Sequence, residues 1–260
     1  MVGCDRVKKK LIMLIGIIIL VICGGVGYYF YLISVQEDVL KSEVINYSNK
    51  DLYKDDYMVD VKTKGDYAYI EESIKNYYRE LSNHVKKIRN YLIDEDLQNL
   101  MIPDNLEKDR PKFLDSYKLI DDTKKEINES KEKIIELCSR EYIKNLVSDR
   151  IRDEYYIKLY DSLMNTDKDI EELKDVRVDM EELSNNLNVF LDKVKELLEV
   201  LEKNNDSWSV EDNVILISDK SILNEYNNKY KELKDVIDNK LSKYKDRAIS
   251  KGNSNSVVSA

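Results

Sequence analysis

Nine apolar residues, Leu173, Val176, Met180, Leu183, Leu187, Phe190, Val194, Leu197 and Leu201, follow one another at alternating steps of three and four, without an exception over four heptads. Steps of that size bring side chains to one face of an α-helix. A face this regular is the seam of a coiled coil or of a long helical bundle. The spacing predicts a helix that opens at Asp167, a suitable N-cap, and stops at Asn204-Asn205. Such a stripe pairs within one chain or between two, so a homo-oligomer through this face is one expected arrangement.

Punctuation elsewhere is sparse. Beyond residue 33 the only glycines are Gly65 and Gly252 and the only prolines Pro103 and Pro111. Few turns are encoded, which favours long helices over sandwiches or doubly wound sheets. Gly65-Asp66 offers a stop and an N-cap for a helix carrying Ile70, Ile74, Tyr77, Leu81, Val85, Ile88 and Leu92, which Asp94 to Asp96 loosen and Pro103 ends. Pro111 suits the first turn of the next helix, with Phe113, Tyr117, Ile120, Ile127, Ile134 and Leu137 on its stripe. Lys124 and Lys131 interrupt one register there, so its middle is expected to be less buried. Ser139 offers a cap for a shorter helix through Ile143, Leu146 and Val147. A segment with Tyr155, Tyr156, Leu159, Tyr160 and Leu163 leads to a turn at Asn165-Thr166. Two short strands around Glu211-Asp212-Asn213 are predicted between Trp208 and Ile217. Asp219 then caps a last helix bearing Ile222, Tyr226, Tyr230, Leu233, Ile237, Leu241 and Tyr244. The expected fold class is all-α: an elongated antiparallel helical bundle over residues 66–247, with one short β-hairpin at about 208–217 and a small, polar, disordered tail at 248–260.

A membrane helix is expected ahead of the bundle. Leu11 to Ile33 is a run of 23 residues without a charge, thirteen of them Leu, Ile or Val. At the helical rise it is roughly 35 Å long, enough to cross a hydrocarbon core of ~30 Å. Arg6, Lys8, Lys9 and Lys10 precede it, opposed by Asp5, while Glu37, Asp38, Lys41 and Glu43 follow. Basic residues stay on the cytoplasmic side. Residues 1–10 therefore read as a cytoplasmic tail, 11–33 as a lipid-embedded anchor, 34–65 as a polar juxtamembrane stalk and 66–247 as an extracytoplasmic domain. Two rival readings stay open: a signal peptide cleaved near Gly24, Gly25 and Gly27, giving a secreted protein, and a lipoprotein through Cys23, which bulky Ile22 disfavours. Cys23 and Gly27 also form a weak small-xxx-small pair.

Charge narrows the partners. Removing Arg6, Lys8, Lys9, Lys10 and Asp5 from totals of 42 basic and 51 acidic residues leaves a formal charge of −12 on the rest. Such a chain repels phosphate backbones, so no nucleic-acid partner is expected. Alanine occurs only at Ala68, Ala248 and Ala260 while Lys, Asn, Ile, Asp and Tyr abound, a bias expected of an AT-rich genome. The reading is a Gram-positive bacterial envelope protein, with an envelope protein or cell-wall component as partner.

Chemistry is thinly encoded. His84 is the only histidine, which rules out paired-His zinc motifs and leaves a hydrolytic triad with one candidate. No GxSxG elbow and no glycine-rich phosphate loop occurs. Carboxylates cluster at Asp94-Glu95-Asp96, Asp121-Asp122 and Asp167 to Glu172, where helix caps and solvated faces account for them without a calcium loop or a catalytic pair. Cys138 stands alone outside the anchor, in the apolar series Ile134, Leu137, Cys138, and reads as a buried thiol rather than a cross-link. Tyrosine pairs such as Tyr77-Tyr78 and Tyr155-Tyr156 suit bundle packing or an aromatic groove. Trp208, at a bundle end, is the best single candidate for a partner contact, with capping of the core as its alternative. No catalytic residue, cofactor or metal is expected. The leading expectation is a non-enzymatic scaffold or binding module, with a sensory ectodomain working through a membrane partner and a carboxylate enzyme as rivals.

Overall fold

The computed structural model describes residues 31, 33–164 and 167–244, the last stretch without the side chains of 167–169. Residues 11–30 and 32 of the expected membrane helix, the Asn165-Thr166 turn and the tail 248–260 lie outside the described residues. Among those described, no helix is long and apolar enough to cross a membrane. The helices are α1 (33–48), α2 (Asp66–Asn90), α3 (Glu95–Asn99), α4 (Pro103–Asp109), α5 (Leu114–Leu137), α6 (Arg140–Asn145), α7 (Glu154–Met164), α8 (Asp167–Lys203) and α9 (Lys220–Val236), with strands β1 (Trp208–Glu211) and β2 (Val214–Ile217) between the last two. The chain is thus mostly helical with one small antiparallel sheet, as its scarce glycine and proline foretold. It divides into two compact units, one built from Tyr57–Tyr78, Asn145–Met164 and the described part of Met1–Lys50, the other from Asp51–Asp56, Arg79–Lys144 and the described part of Asn165–Ala260.

The first unit takes in much of the stretch read as a stalk. Residues 33–48 are helical, and Leu40, Val44 and Tyr47 of that helix are buried at spacings of four and three. The start of α2 supplies Tyr67, Ile70, Ile74, Tyr77 and Tyr78, and α7 supplies Leu159, Tyr160 and Met164. Gly65, at φ +62, turns the chain into α2, and nothing lies within 4 Å of where a Cβ would stand, so glycine serves conformation there and not close packing. A pair of opposite charges sits inside this unit. Glu71 is wholly buried and Lys75, one turn on, is 2 % exposed. Lys75 Nζ lies 2.6 Å from Glu71 and 2.5 Å from Glu43 of α1, and donates to the carbonyl of Asp60 at 2.6 Å. Glu71 also accepts from the backbone N–H groups of Lys62 and Thr63 and from the Thr63 hydroxyl, at 2.7–3.0 Å. Every bonding site of the pair is met, as burial of two charges requires.

In the second unit, α8 packs on both α5 and α9. Lys193 pairs with Glu232, Lys229 with Glu196 and Lys243 with Glu182, so position rises on α8 as it falls on α9. Lys195 to Asp121, Lys124 to Asp192 and Asn188 to Asn128 set the same opposition between α8 and α5. Both pairs are antiparallel. The apolar stripe of α8 faces inward, except that Val176 and Phe190 are only partly covered, while Ser184, Leu191, Leu198 and Val200 are buried beyond it. A coiled-coil seam has one partner; α8 has two, so its buried arc is wider than two positions per heptad.

Three local expectations change. Pro103 opens α4 at its first position instead of ending a helix; α2 stops at Asn90, and Asp94 caps α3 by accepting from Leu97 N at 3.0 Å. Pro111 lies outside the helix it was expected to start. Phe113, at φ 48, precedes α5, and the Asp109 carboxylate takes up the free N–H groups of Asp115 and Ser116. The middle of α5 is buried, because Thr123 and Ser130 continue the inward row Ile120, Ile127, Ile134, one position from Lys124 and Lys131. The hairpin forms as expected, Trp208 opposite Ile217 and Glu211 opposite Val214. Asp212 and Asn213 both take positive φ, 49° and 60°, as a type I′ turn requires. Asp219 caps α9 and Ser139 caps α6, each by accepting from backbone N–H groups two or three residues on.

Burial by itself would push the Glu71 carboxyl up, but bonds from Lys75, Thr63 and the backbone hold it below its ordinary value. Burial alone would pull Lys75 down, and its bonds to Glu43 and Glu71 hold it above. Glu71 therefore stabilises the fold above pH ~4.5, a share lost as pH falls through its lowered value; Lys75 does so below ~10.5, a share lost as pH rises through its raised value. Glu71→Ala is expected to cost about 3–5 kcal/mol by removing one of the two carboxylates that hold the buried Lys75 ammonium, and the double change with Lys75→Met should restore most of it. Urea denaturation of the single and double variants measures both.

Candidate functional site

The structure places the sequence candidates as follows. His84, on α2, faces Glu80 and Lys87 of its own helix and Lys133 of α5. Burial holds its pKa below the ordinary 6.5, and its buried Nδ1 has no protein hydrogen-bond partner. Among the described residues no hydrogen bond joins it to a serine hydroxyl. The side chains of Asp167 and Asp169 lie outside the described residues, and the described carboxylates of the clusters serve as caps, ion pairs or exposed groups. Asp94 caps α3, Asp121 pairs with Lys195 at 3.3 Å, and Glu171 is exposed on α8. Among the described residues no three His, Cys, Asp or Glu side chains are grouped to hold an ion.

Most of the tyrosines pack. In the first unit, Tyr77 and Tyr78 are buried, Tyr57 stacks on Tyr78 at 6.1 Å and meets Tyr47 edge-on at 5.7 Å. Tyr156 meets Tyr67 edge-on at 5.0 Å, while Tyr155 is exposed and hydrogen-bonds to Glu37 and Tyr67.

Trp208 is a cap of the core and not a surface contact. It is 4 % exposed, its Nε1 donates to Leu201 O at 3.0 Å, and its ring stacks on Phe113 at 6.1 Å. The Arg110 guanidinium covers the ring at 4.4 Å and donates to the Asn205 carbonyl at 2.7 Å. Cys138 closes α5 half-buried. Burial pushes its thiol up to about 12, above the nearby Arg177's opposing pull.

What the sequence candidates did not reveal is a groove in the second unit, a cavity of about 230 Å³. Its floor is Leu92, Leu97, Leu187, Val194, Leu233 and Leu241, all buried. Its mouth is formed by Tyr91, Gln98, Met101, Phe190, Tyr230 and Ile237, all at least partly exposed. No Asp, Glu, Lys or Arg lines it. The Tyr91 hydroxyl donates to Glu126 at 2.5 Å, and burial together with that carboxylate keeps it protonated far above neutral pH. One wall is a break in regular winding, since Ile237–Leu241 forms a π-helical turn at the end of α9. Such turns are rare and often sit at functional sites. The only sequence signal for the groove was the set of stripes themselves. Periodicity marks which side chains turn inward, not whether the space between them is filled. The chain matches no protein-family model, and no curated protein and no solved structure shows significant similarity to it.

Two outcomes check these placements. Trp208→Phe should cost about 1–2 kcal/mol in thermal or urea unfolding, from a lost buried hydrogen bond and a weakened cation–π contact. Iodoacetamide at pH 8 should alkylate Cys138 of the folded chain at least ten-fold more slowly than in urea, because only thiolate reacts; mass spectrometry of timed samples reads the rate.

Proposed function

We propose that this chain is a single-pass, membrane-anchored protein of a bacterial envelope whose helical units act outside the membrane as a non-enzymatic binding module or scaffold. The observation that carries the reading is the uncharged run Leu11 to Ile33, with Arg6 to Lys10 before it and acidic residues after it. The half-open apolar groove supports binding over a purely spacing role, because concave apolar pockets with a few polar groups at the mouth are the usual form of ligand sites. The same groove also favours a second reading, a sensory ectodomain that passes its occupancy to a membrane partner.

Protease added to intact protoplasts is expected to remove the chain beyond residue 33 and leave an anchored fragment in the membrane fraction. Full protection of the C-terminal end would overturn the orientation. A shortened, soluble product in the medium would favour the cleaved signal.

A further inference from the structure

The groove of the second unit has a shape and chemistry that select among ligands. Its lining residues on α8 run from Leu187 to Val194, and those on α9 and the π-helical turn that continues it from Tyr230 to Leu241. At the helical rise these are roughly 10 Å and 16 Å of wall, so the lining extends over about two to three turns of each. Its volume of about 230 Å³ exceeds the ~150 Å³ of an apolar cavity that takes one benzene ring. Apolar walls of that length suit an extended chain better than a single ring. The electrostatics agree. On α8 and α9 the charged side chains Lys193, Glu196, Lys229 and Glu232 are committed to each other, Lys193 to Glu196 and Glu232, and Lys229 to Glu196. At the other wall, Glu126 is taken by Tyr91 and by Lys87 at 3.0 Å. The floor therefore offers no counter-charge, and an ionic group carried into it would be desolvated without a partner. At the mouth, Gln98 and Tyr230 provide an amide and a phenol for an uncharged polar head.

We propose that this groove binds a single uncharged hydrocarbon chain, the tail of a neutral amphiphile, with its polar head at the Gln98 and Tyr230 mouth. The proposal rests on reading the groove as the chain's binding face. Apolar contact with the six buried floor residues drives entry, and the absence of charge in the lining makes the site reject chains that are ionised at both ends.

The test uses the full chain in lipid nanodiscs and a ten-carbon alcohol carrying a terminal diazirine as photoreactive probe. Peptide mass spectrometry is expected to find adducts within 91–101, 187–194 and 230–241. Decyl glucoside should suppress them at least ten-fold more effectively than decanedioate, whose two carboxylates prevent burial of either end. Met101→Trp fills the groove from its partly exposed mouth and should lower these adducts at least ten-fold at an unchanged melting temperature, whereas Met101→Leu should retain them. If Met101→Trp does not fold, Gln98→Trp makes the same test from the rim. Adducts confined to 11–33, or equal in the wild type and the filled variant, would overturn the proposal. So would cross-links from a photoreactive methionine at position 101 to residues 245–260 or to a second copy, which would assign the groove to those occupants. Failure of the alkyl test with residues beyond 33 still cut in protoplasts discards this ligand class and leaves the anchored module standing.

Discussion

Burial of α8 against two antiparallel neighbours is the constraint from which the second unit follows. A helix with one partner can hide its apolar residues in a strip two positions wide per heptad; a helix held between two must bury a broader arc. Ser184, Leu191 and Leu198 widen the arc beyond the nine-residue stripe, and ion pairs at its edges fix the register of α5 and α9. The hairpin β1–β2 follows from the same arrangement, since it lies in the connection that reverses the chain from α8 into α9, and Trp208 seals the end it creates. The groove is the counterpart of this packing. Where Phe190 and Ile237 are only partly covered, the walls contributed by α8 and α9 leave apolar space open.

The first unit solves a different problem. Its described interior mixes aliphatic side chains such as Leu40, Ile70 and Ile74 with tyrosines and a buried ion pair. Removing two charges from water is costly unless each finds its full complement of partners. Glu71 and Lys75 find theirs in three separate stretches of chain: α1 through Glu43, the extended residues through Lys62, Thr63 and the Asp60 carbonyl, and α2 itself. The pair therefore specifies how those stretches meet, which loosely shaped apolar contacts would do less sharply. That is the physical reason residues 33–50 and 57–63, polar on paper, are folded into a core.

Legibility varied with the range of the interaction. Local chemistry was readable: the positive-φ turn at Asp212-Asn213, the caps Asp219 and Ser139, and the inward faces of α2, α5, α8 and α9 all follow from neighbours within four residues. Helix ends near proline were misread, because Pro103 and Pro111 each permit a start or a stop: Pro103 opens α4 without a side-chain cap, whereas α5 starts after Pro111, where the Asp109 carboxylate takes up N–H groups that only the folded backbone frees. Trp208 looked like a contact residue because a loop end and a tryptophan share that prior. Its burial depends on Phe113 and Arg110, about a hundred residues away in sequence. No single-residue signal marked the groove, since Leu187, Val194 and Leu233 have the same spacing as residues in filled core.

By itself the sequence determined the helical class, the place of the hairpin, the stripe of α8 and the uncharged run Leu11 to Ile33, because each is set by residue type at short spacing. Only the tertiary structure decided that the α8 stripe is occupied within the chain, that Glu71 and Lys75 lie inside, and that an apolar groove stays open beside α9. Packing density and charge pairing depend on which distant elements meet, and that information is carried by three-dimensional contact and not by period.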